Sequence, residues 1–219
     1  MIYIDELSFF MHKHIENIVD VGTDANCGYR AVVDLLRKRE ENHTLIRQTL
    51  ISELTSHMDL YTRTYENKEK FDKIHDALVP SLTSHAPVSK WMSYPKMGHL
   101  IASAYDRVCV DLTKFGFSET FFPLHSRPPL DASSHIICIG YLRSRHFVQV
   151  FLKPECPIPT TSCEWMTHHT KEADTWPDLF SKRMVELKEI MKQEMEENRE
   201  KSKNLPILEL SGEGSFGAF

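Results

Sequence analysis

Apolar positions along the chain change period near residue 106. Before it the spacing is helical. Tyr29, Val32, Val33 and Leu36 recur at i, i+3, i+4 and i+7, one face of a helix. Gly22, Asp24 and Asn26 just upstream are turn and cap residues, so this helix begins near Cys27. Asn42 or Thr44 caps a second helix with Ile46, Leu50, Leu54 and Met58 on one stripe. Phe71, Ile74 and Leu78 mark a third, closed by Pro80. Ser93 and Pro95 open a fourth, continued by Met97, Leu100, Ile101 and Ala104. Scattered apolar residues over 1–20 (Ile2, Ile4, Leu7, Phe9, Phe10, Ile15, Ile18) predict a partly helical start. Beyond Asp106 the period becomes two. Val108, Val110 and Leu112 alternate, ETFFPL is a short aromatic strand, and HSRPPLDASS is a loop. HIICIGYL and HFVQVFL, joined by RSR, predict an antiparallel hairpin, with His146, Val148, Val150 and Leu152 on one face of its second strand. The Pro-containing stretch 153–176 reads as loop, and 178–203 as a charged helix with Leu179, Phe180, Met184, Leu187, Met191 and Met195 as its apolar positions. The predicted class is α+β: helices packed on a small, mainly antiparallel sheet.

The length of 219 residues fits one domain with room for an extra segment, able to bury a core without staples. A net charge of −5 argues against a general nucleic-acid binder. Five cysteines, an odd number without CxxC pairs, indicate a reducing compartment rather than a disulfide framework. No apolar run reaches the roughly 18 residues of a membrane span, and the opening MIYIDELSFFMHKH has no basic region typical of a secretory signal. The expectation is an intracellular monomer, cytoplasmic or nuclear, with no nucleic-acid or membrane partner.

Chemistry concentrates at Cys27. A helix start presents free backbone N–H groups and the positive end of the macrodipole, both of which favour a thiolate. A thiol nucleophile needs a histidine as base and then acid. Among twelve histidines, His146 is placed best, at the rigid start of a strand and 119 residues downstream. The competing reading is a buried small hydrophobe and an ordinary histidine. Cys156, Cys163, His168 and His169 have the spacing C-x6-C-x4-H-H, which matches no common zinc finger, so no metal is expected.

These residues carry a resemblance. GTDANCGYRAVVDLL resembles the cysteine motif D-G-N-C-x-[FY]-R-A of the OTU (ovarian tumour) cysteine proteases: Asp24, Asn26, Cys27, Tyr29, Arg30 and Ala31 match, and Ala25 stands where glycine is usual. RSRHFVQVFL is similar to the family's histidine motif, and KWMSYPKMGHLIASAYDRVCVDL to the block between them, with Trp91, Leu100, Ala102 and Tyr105 in similar places. The likeness runs from about Phe9 to Lys153 and is strongest to OTU domains of plant and fungal transposon-related proteins. It implies a papain-like fold and a thiol-dependent deubiquitinase that needs no cofactor, acting on ubiquitin, polyubiquitin or a ubiquitin-like modifier. It divides the chain into a catalytic domain (1–175), a charged helix packed on or extending it (176–203) and a flexible tail (204–219). Cys27 is then the nucleophile and His146 the base, and the N–H of Cys27 with that of the Asp24 region forms the oxyanion hole. Many relatives carry Asp or Asn two residues after the histidine, where this chain has Val148. Asp20, upstream of the cysteine turn, is the candidate orienter; an ordinary solvated carboxylate is the other reading. Gln149 points to the opposite face from His146. Asp24 shapes the turn under the oxyanion site, with Arg30 as an ion-pair partner. Phe147 and Trp91 are candidate walls of the channel for an extended Gly-Gly tail, with core packing as the alternative for each. Two further function classes stay open: a non-catalytic ubiquitin-binding domain and a papain-like peptidase of ordinary peptides.

Overall fold

In a computed structural model the described residues are 1–36, 42–81, 86–114, 118–132 and 136–203; the expected tail 204–219 lies outside them. Strands β1 (Ile15–Asp20), β2 (Val108–Thr113), β3 (Thr120–Phe121), β4 (Ile136–Tyr141) and β5 (Phe147–Leu152) form one sheet in the order β1-β5-β4-β2-β3. The β4–β5 hairpin forms as expected, and all neighbours are antiparallel except β2 and β4, which run parallel. The α+β class therefore holds. Among the described residues no helix is long and apolar enough to cross a membrane.

Helix α1 (Cys27–Leu35) packs on β5 and β4, α2 (His43–Ser56) packs on α1, and α5 (Gly98–Tyr105) packs on α2 and β2. The buried faces of α1 and α2 carry the periodic residues Tyr29, Val32, Val33, Ile46, Leu50 and Leu54. Helices α3 (Met58–Thr64) and α4 (Lys68–Leu78) follow; Asn67 caps α4 by accepting from the Lys70 N–H at 2.9 Å. Gly28 lets α1 approach its neighbours. A Cβ there would lie 2.8 Å from Met92 Cβ and Sδ and 3.2 Å from the Phe147 ring. This close approach explains the small residue directly after Cys27.

Three expectations are corrected. The start of the chain is partly helical as expected: two 3-10 turns, Ile4–Glu6 and Phe9–His14, lead into β1. A register irregularity between Ile15 and Asn17 breaks the alternation that marks a strand. The second helix does not run through Met58. The chain bends at His57 (φ −121°) and continues as α3, leaving Met58 exposed. Ser93 and Pro95 precede the fourth helix by a turn, and α5 starts only at Gly98. Within 153–176 there is a short helix, α6 (Cys163–His168), capped by Ser162, whose Oγ accepts from the Trp165 N–H at 3.3 Å. Helix α7 (Ser181–Lys203) follows; its first turns are anchored by buried Arg183, whose Nε donates to the Cys156 carbonyl at 2.6 Å.

The core contains a buried acid. Asp111, on β2, is buried, and its Oδ1 has no hydrogen-bond partner. Burial, with Glu119 adding to it, pushes its carboxyl up to about 8. An unfolded aspartic acid releases its proton near 4. Between these values the unfolded chain binds fewer protons than the folded one, so stability falls as pH rises from about 4 to about 8. Asp111→Asn removes this loss. In urea unfolding the variant is expected to gain on the wild type progressively between pH 5 and pH 8, by on the order of several kcal/mol. A gap that does not change with pH would refute this account.

Candidate active site

The turn before α1 is built by Asp24. Its Oδ1 accepts from the Asn26 N–H at 2.9 Å, and its Oδ2 pairs with Arg30 Nη2 at 2.8 Å. Burial alone would raise the Asp24 carboxyl, but Arg30 and Asn26 outweigh it and hold it at about 2. A second pin was not legible in the sequence. Arg47, buried on α2, lies over the Tyr29 ring at 3.7 Å from its centroid. Its Nη2 donates to Asn26 Oδ1 at 2.8 Å and to the Lys90 carbonyl at 3.0 Å, and its Nη1 to the Ala77 carbonyl at 2.7 Å. One guanidinium thus ties the cysteine turn to α4 and the 88–90 turn. The only sequence signal for it is an arginine beside Ile46 on a stripe that is otherwise apolar.

Cys27, the first residue of α1, is buried, with the backbone amides of Phe147 and Gly28 favouring its thiolate. Burial outweighs these contacts and pushes the thiol up. This corrects the expectation that the helix start lowers it. The Cys27 N–H, read from sequence as an oxyanion donor, instead donates to the Asp24 carbonyl at 3.1 Å.

His146 follows the hairpin turn, which is closed by Arg145 N–H to the Leu142 carbonyl at 3.0 Å and Leu142 N–H to the His146 carbonyl at 2.9 Å. Its Nε2 lies 2.6 Å from Asp20 Oδ1. The pair forms across β1 and β5, in whose register Asp20 is the partner of Val148. The neighbouring strand thus supplies a carboxylate opposite the position where Val148 offers none. Tyr3, which no sequence signal marks, donates its hydroxyl to Asp20 Oδ2 at 3.2 Å. Partial burial would raise the Asp20 carboxyl, but the hydrogen bonds from His146 and Tyr3 prevail and hold it below the usual carboxylate value.

Cys27, His146, Asp24 and Trp91 line one open cleft of about 710 Å³; Trp91 and Arg145 also line an adjoining groove of about 860 Å³ that contains Phe147 and Tyr94. Trp91 is half-buried at this junction, with its indole N–H on the Ala86 carbonyl at 3.3 Å. Phe147 is almost fully buried, its ring packed by Tyr141 and Tyr94. The structure thus gathers Cys27, His146, Asp20 and Asp24, with Trp91 and Phe147 beside them. It does not gather Cys156, Cys163, His168 and His169 into a ligand set: Cys156 contacts Arg183, and His169 stacks on Trp165 and pairs with Asp174. A thiol that shares a cleft with a histidine held by a carboxylate brings together the groups that acyl transfer uses.

No family model matches the chain, and no curated protein matches it. Among solved structures it is similar to the OTU domain of OTUD1, with a TM-score of 0.46 at 16% identity over 61% of this chain and 84% of that one. It is also similar to the viral OTU domain protease of Dera Ghazi Khan virus, with 0.47 at 12% identity over 65% and 84%. The Hazara virus OTU bound to ubiquitin scores 0.46 at 13% identity over 68% and 87%.

Proposed function

We propose that the chain is a thiol-dependent hydrolase of the OTU type, a deubiquitinase that cleaves after the C-terminal glycine of ubiquitin or a ubiquitin-like modifier inside the cell. The observation that carries the reaction class is the 2.6 Å His146–Asp20 pair, whose histidine lines the same cleft as Cys27. The modifier class rests on the motif resemblance around Cys27 and His146, whose N-C-G-Y-R and H-F-V-Q-V strings resemble those of transposon-related OTU domains. Two grooves meeting at Trp91 suit an extended, side-chain-poor tail.

In this reading Asp20 accepts from the Nε2–H of His146, which leaves Nδ1 as the basic nitrogen. Nδ1 takes the Cys27 proton as sulfur attacks the glycine carbonyl. The tetrahedral adduct collapses to a thioester, and the departing lysine amine carries off the proton from His146. His146 then deprotonates a water that cleaves the thioester, releasing the glycine carboxylate and restoring the thiol. No cofactor enters. For the Cys27 N–H to stabilise the oxyanion, its bond to the Asp24 carbonyl has to break on substrate binding. That occupied donor and the raised thiol favour a second reading, a ubiquitin-binding module without turnover.

Ubiquitin bearing a C-terminal thiol-reactive electrophile distinguishes the readings. Intact-mass spectra should show one adduct on the wild type and none on Cys27→Ala. Folded wild-type protein that binds ubiquitin without forming an adduct would establish the binding module. Neither binding nor adduct would refute the modifier class.

A further inference from the structure

On the helical side of the molecule, outside the residues that line the cleft, three side chains with metal-binding chemistry converge. Glu53 lies in the last turn of α2, His57 at the bend between α2 and α3, and His125 on the segment after β3. Glu53 Oε1 is 2.6 Å from His125 Nε2 and 3.2 Å from His57 Nδ1, and all three donor atoms lie within 4.8 Å of one another. The two imidazoles stack with centroids 3.9 Å apart and 21° between planes. Tyr61, fully buried, donates its hydroxyl to Glu53 Oε1 at 2.8 Å and fixes the carboxylate from behind.

We propose that Glu53, His57 and His125 form a Zn²⁺ site. Two imidazoles and a carboxylate are a common zinc donor set, with water as the fourth ligand. Bonds of about 2.0–2.1 Å in a tetrahedron separate donor atoms by about 3.3 Å. The Glu53–His57 separation of 3.2 Å already fits this; the Glu53–His125 pair has to open by less than ~1 Å once the ion replaces the shared proton, and one imidazole has to turn out of the stack so that the ion lies in both ring planes. Side-chain exposures of 38% for His57 and 20% for His125 leave a path for the ion and its water. Hard cations such as Mg²⁺ prefer oxygen ligands and do not suit two imidazoles. The Tyr61 hydrogen bond is the outer contact that orients a ligating carboxylate. The ion links the α2–α3 corner to the segment leaving β3, so its effect falls on stability rather than on the cleft.

The test is titration of metal-stripped full chain with Zn²⁺ alone. One ion per chain is expected, in the wild type and in Cys27→Ala alike. The Tm should rise by about 5–10 °C with free zinc at a hundredfold excess over Kd. His57→Ala and His125→Ala should each weaken binding at least ~100-fold; His57 is exposed enough that its loss leaves the fold intact, which circular dichroism verifies. Co²⁺ should give visible d–d bands without a thiolate charge-transfer band. Absence of saturable uptake, zinc binding unchanged in both histidine variants, or a thiolate band that assigns the ion to a cysteine would each overturn the site. None of these readouts depends on whether ubiquitin is the substrate.

Discussion

Asp20→Ala is expected to lower kcat for hydrolysis of a ubiquitin C-terminal amide by roughly 10²–10³, with KM nearly unchanged. The variant deletes the acceptor that lies 2.6 Å from His146 Nε2. Without it, the imidazole samples other tautomers and rotamers, and the protonated form that appears as the thiol is deprotonated loses its counter-charge. The loss corresponds to about 3–4 kcal/mol of transition-state stabilisation. Asp20→Asn keeps an acceptor oxygen but not the charge, and should fall between the two. This partial rescue separates an orienting role from a purely structural one, because both variants equally remove any charge-dependent contribution to the sheet edge. Labelling of Cys27 by the ubiquitin electrophile should slow but persist. Unaltered kcat in both variants would dismiss Asp20 as the orienter.

The largest stability effect is expected at Arg47. Arg47→Ala should cost about 3–5 kcal/mol in urea unfolding. It strips donors from the carbonyls of Ala77 and Lys90 and from Asn26 Oδ1, and leaves a void against the Tyr29 ring. Arg47→Lys should recover little, because an ammonium cannot reach three divergent acceptors while stacking flat on a ring. Alkylation of Cys27 should also become less discriminating, since Asn26, the residue before it, loses its anchor. A cost under about 1 kcal/mol would mean that the guanidinium is replaced by water at little expense.

What was readable in the sequence follows from how local each feature is. The start of α1 was legible because the turn residues and the Tyr29–Val33 face lie within a dozen positions. The β4–β5 hairpin was legible because its strands are separated only by a short turn. Val148 directed attention upstream to Asp20, but the register that places Asp20 opposite Val148 is long-range and leaves no mark in either segment. The bulge at Ile15–Asn17 erased the period of β1 itself. The parallel pairing of β2 with β4, the engagement of the Cys27 N–H by Asp24 and the net effect of burial on the thiol are properties of the assembled molecule. Arg47 and the Glu53–His57–His125 group were missed for the same reason. Each is one polar residue on a segment whose pattern is governed by its neighbours, and only tertiary packing brings its partners to it.

The sheet order has a consequence for how the molecule is made. Among the described residues β1 is an edge strand whose one strand neighbour is β5, the last of the five strands in sequence. On the ribosome, Tyr3 and Asp20 emerge more than a hundred residues before their partner strand exists. Such non-local pairing is a late event in folding. A nascent or prematurely ended chain can therefore carry Cys27 and a formed α1 while lacking both the histidine and the edge that orients it. On the proposed reading such a product has no hydrolase activity, since the thiol meets its base only once the sheet closes.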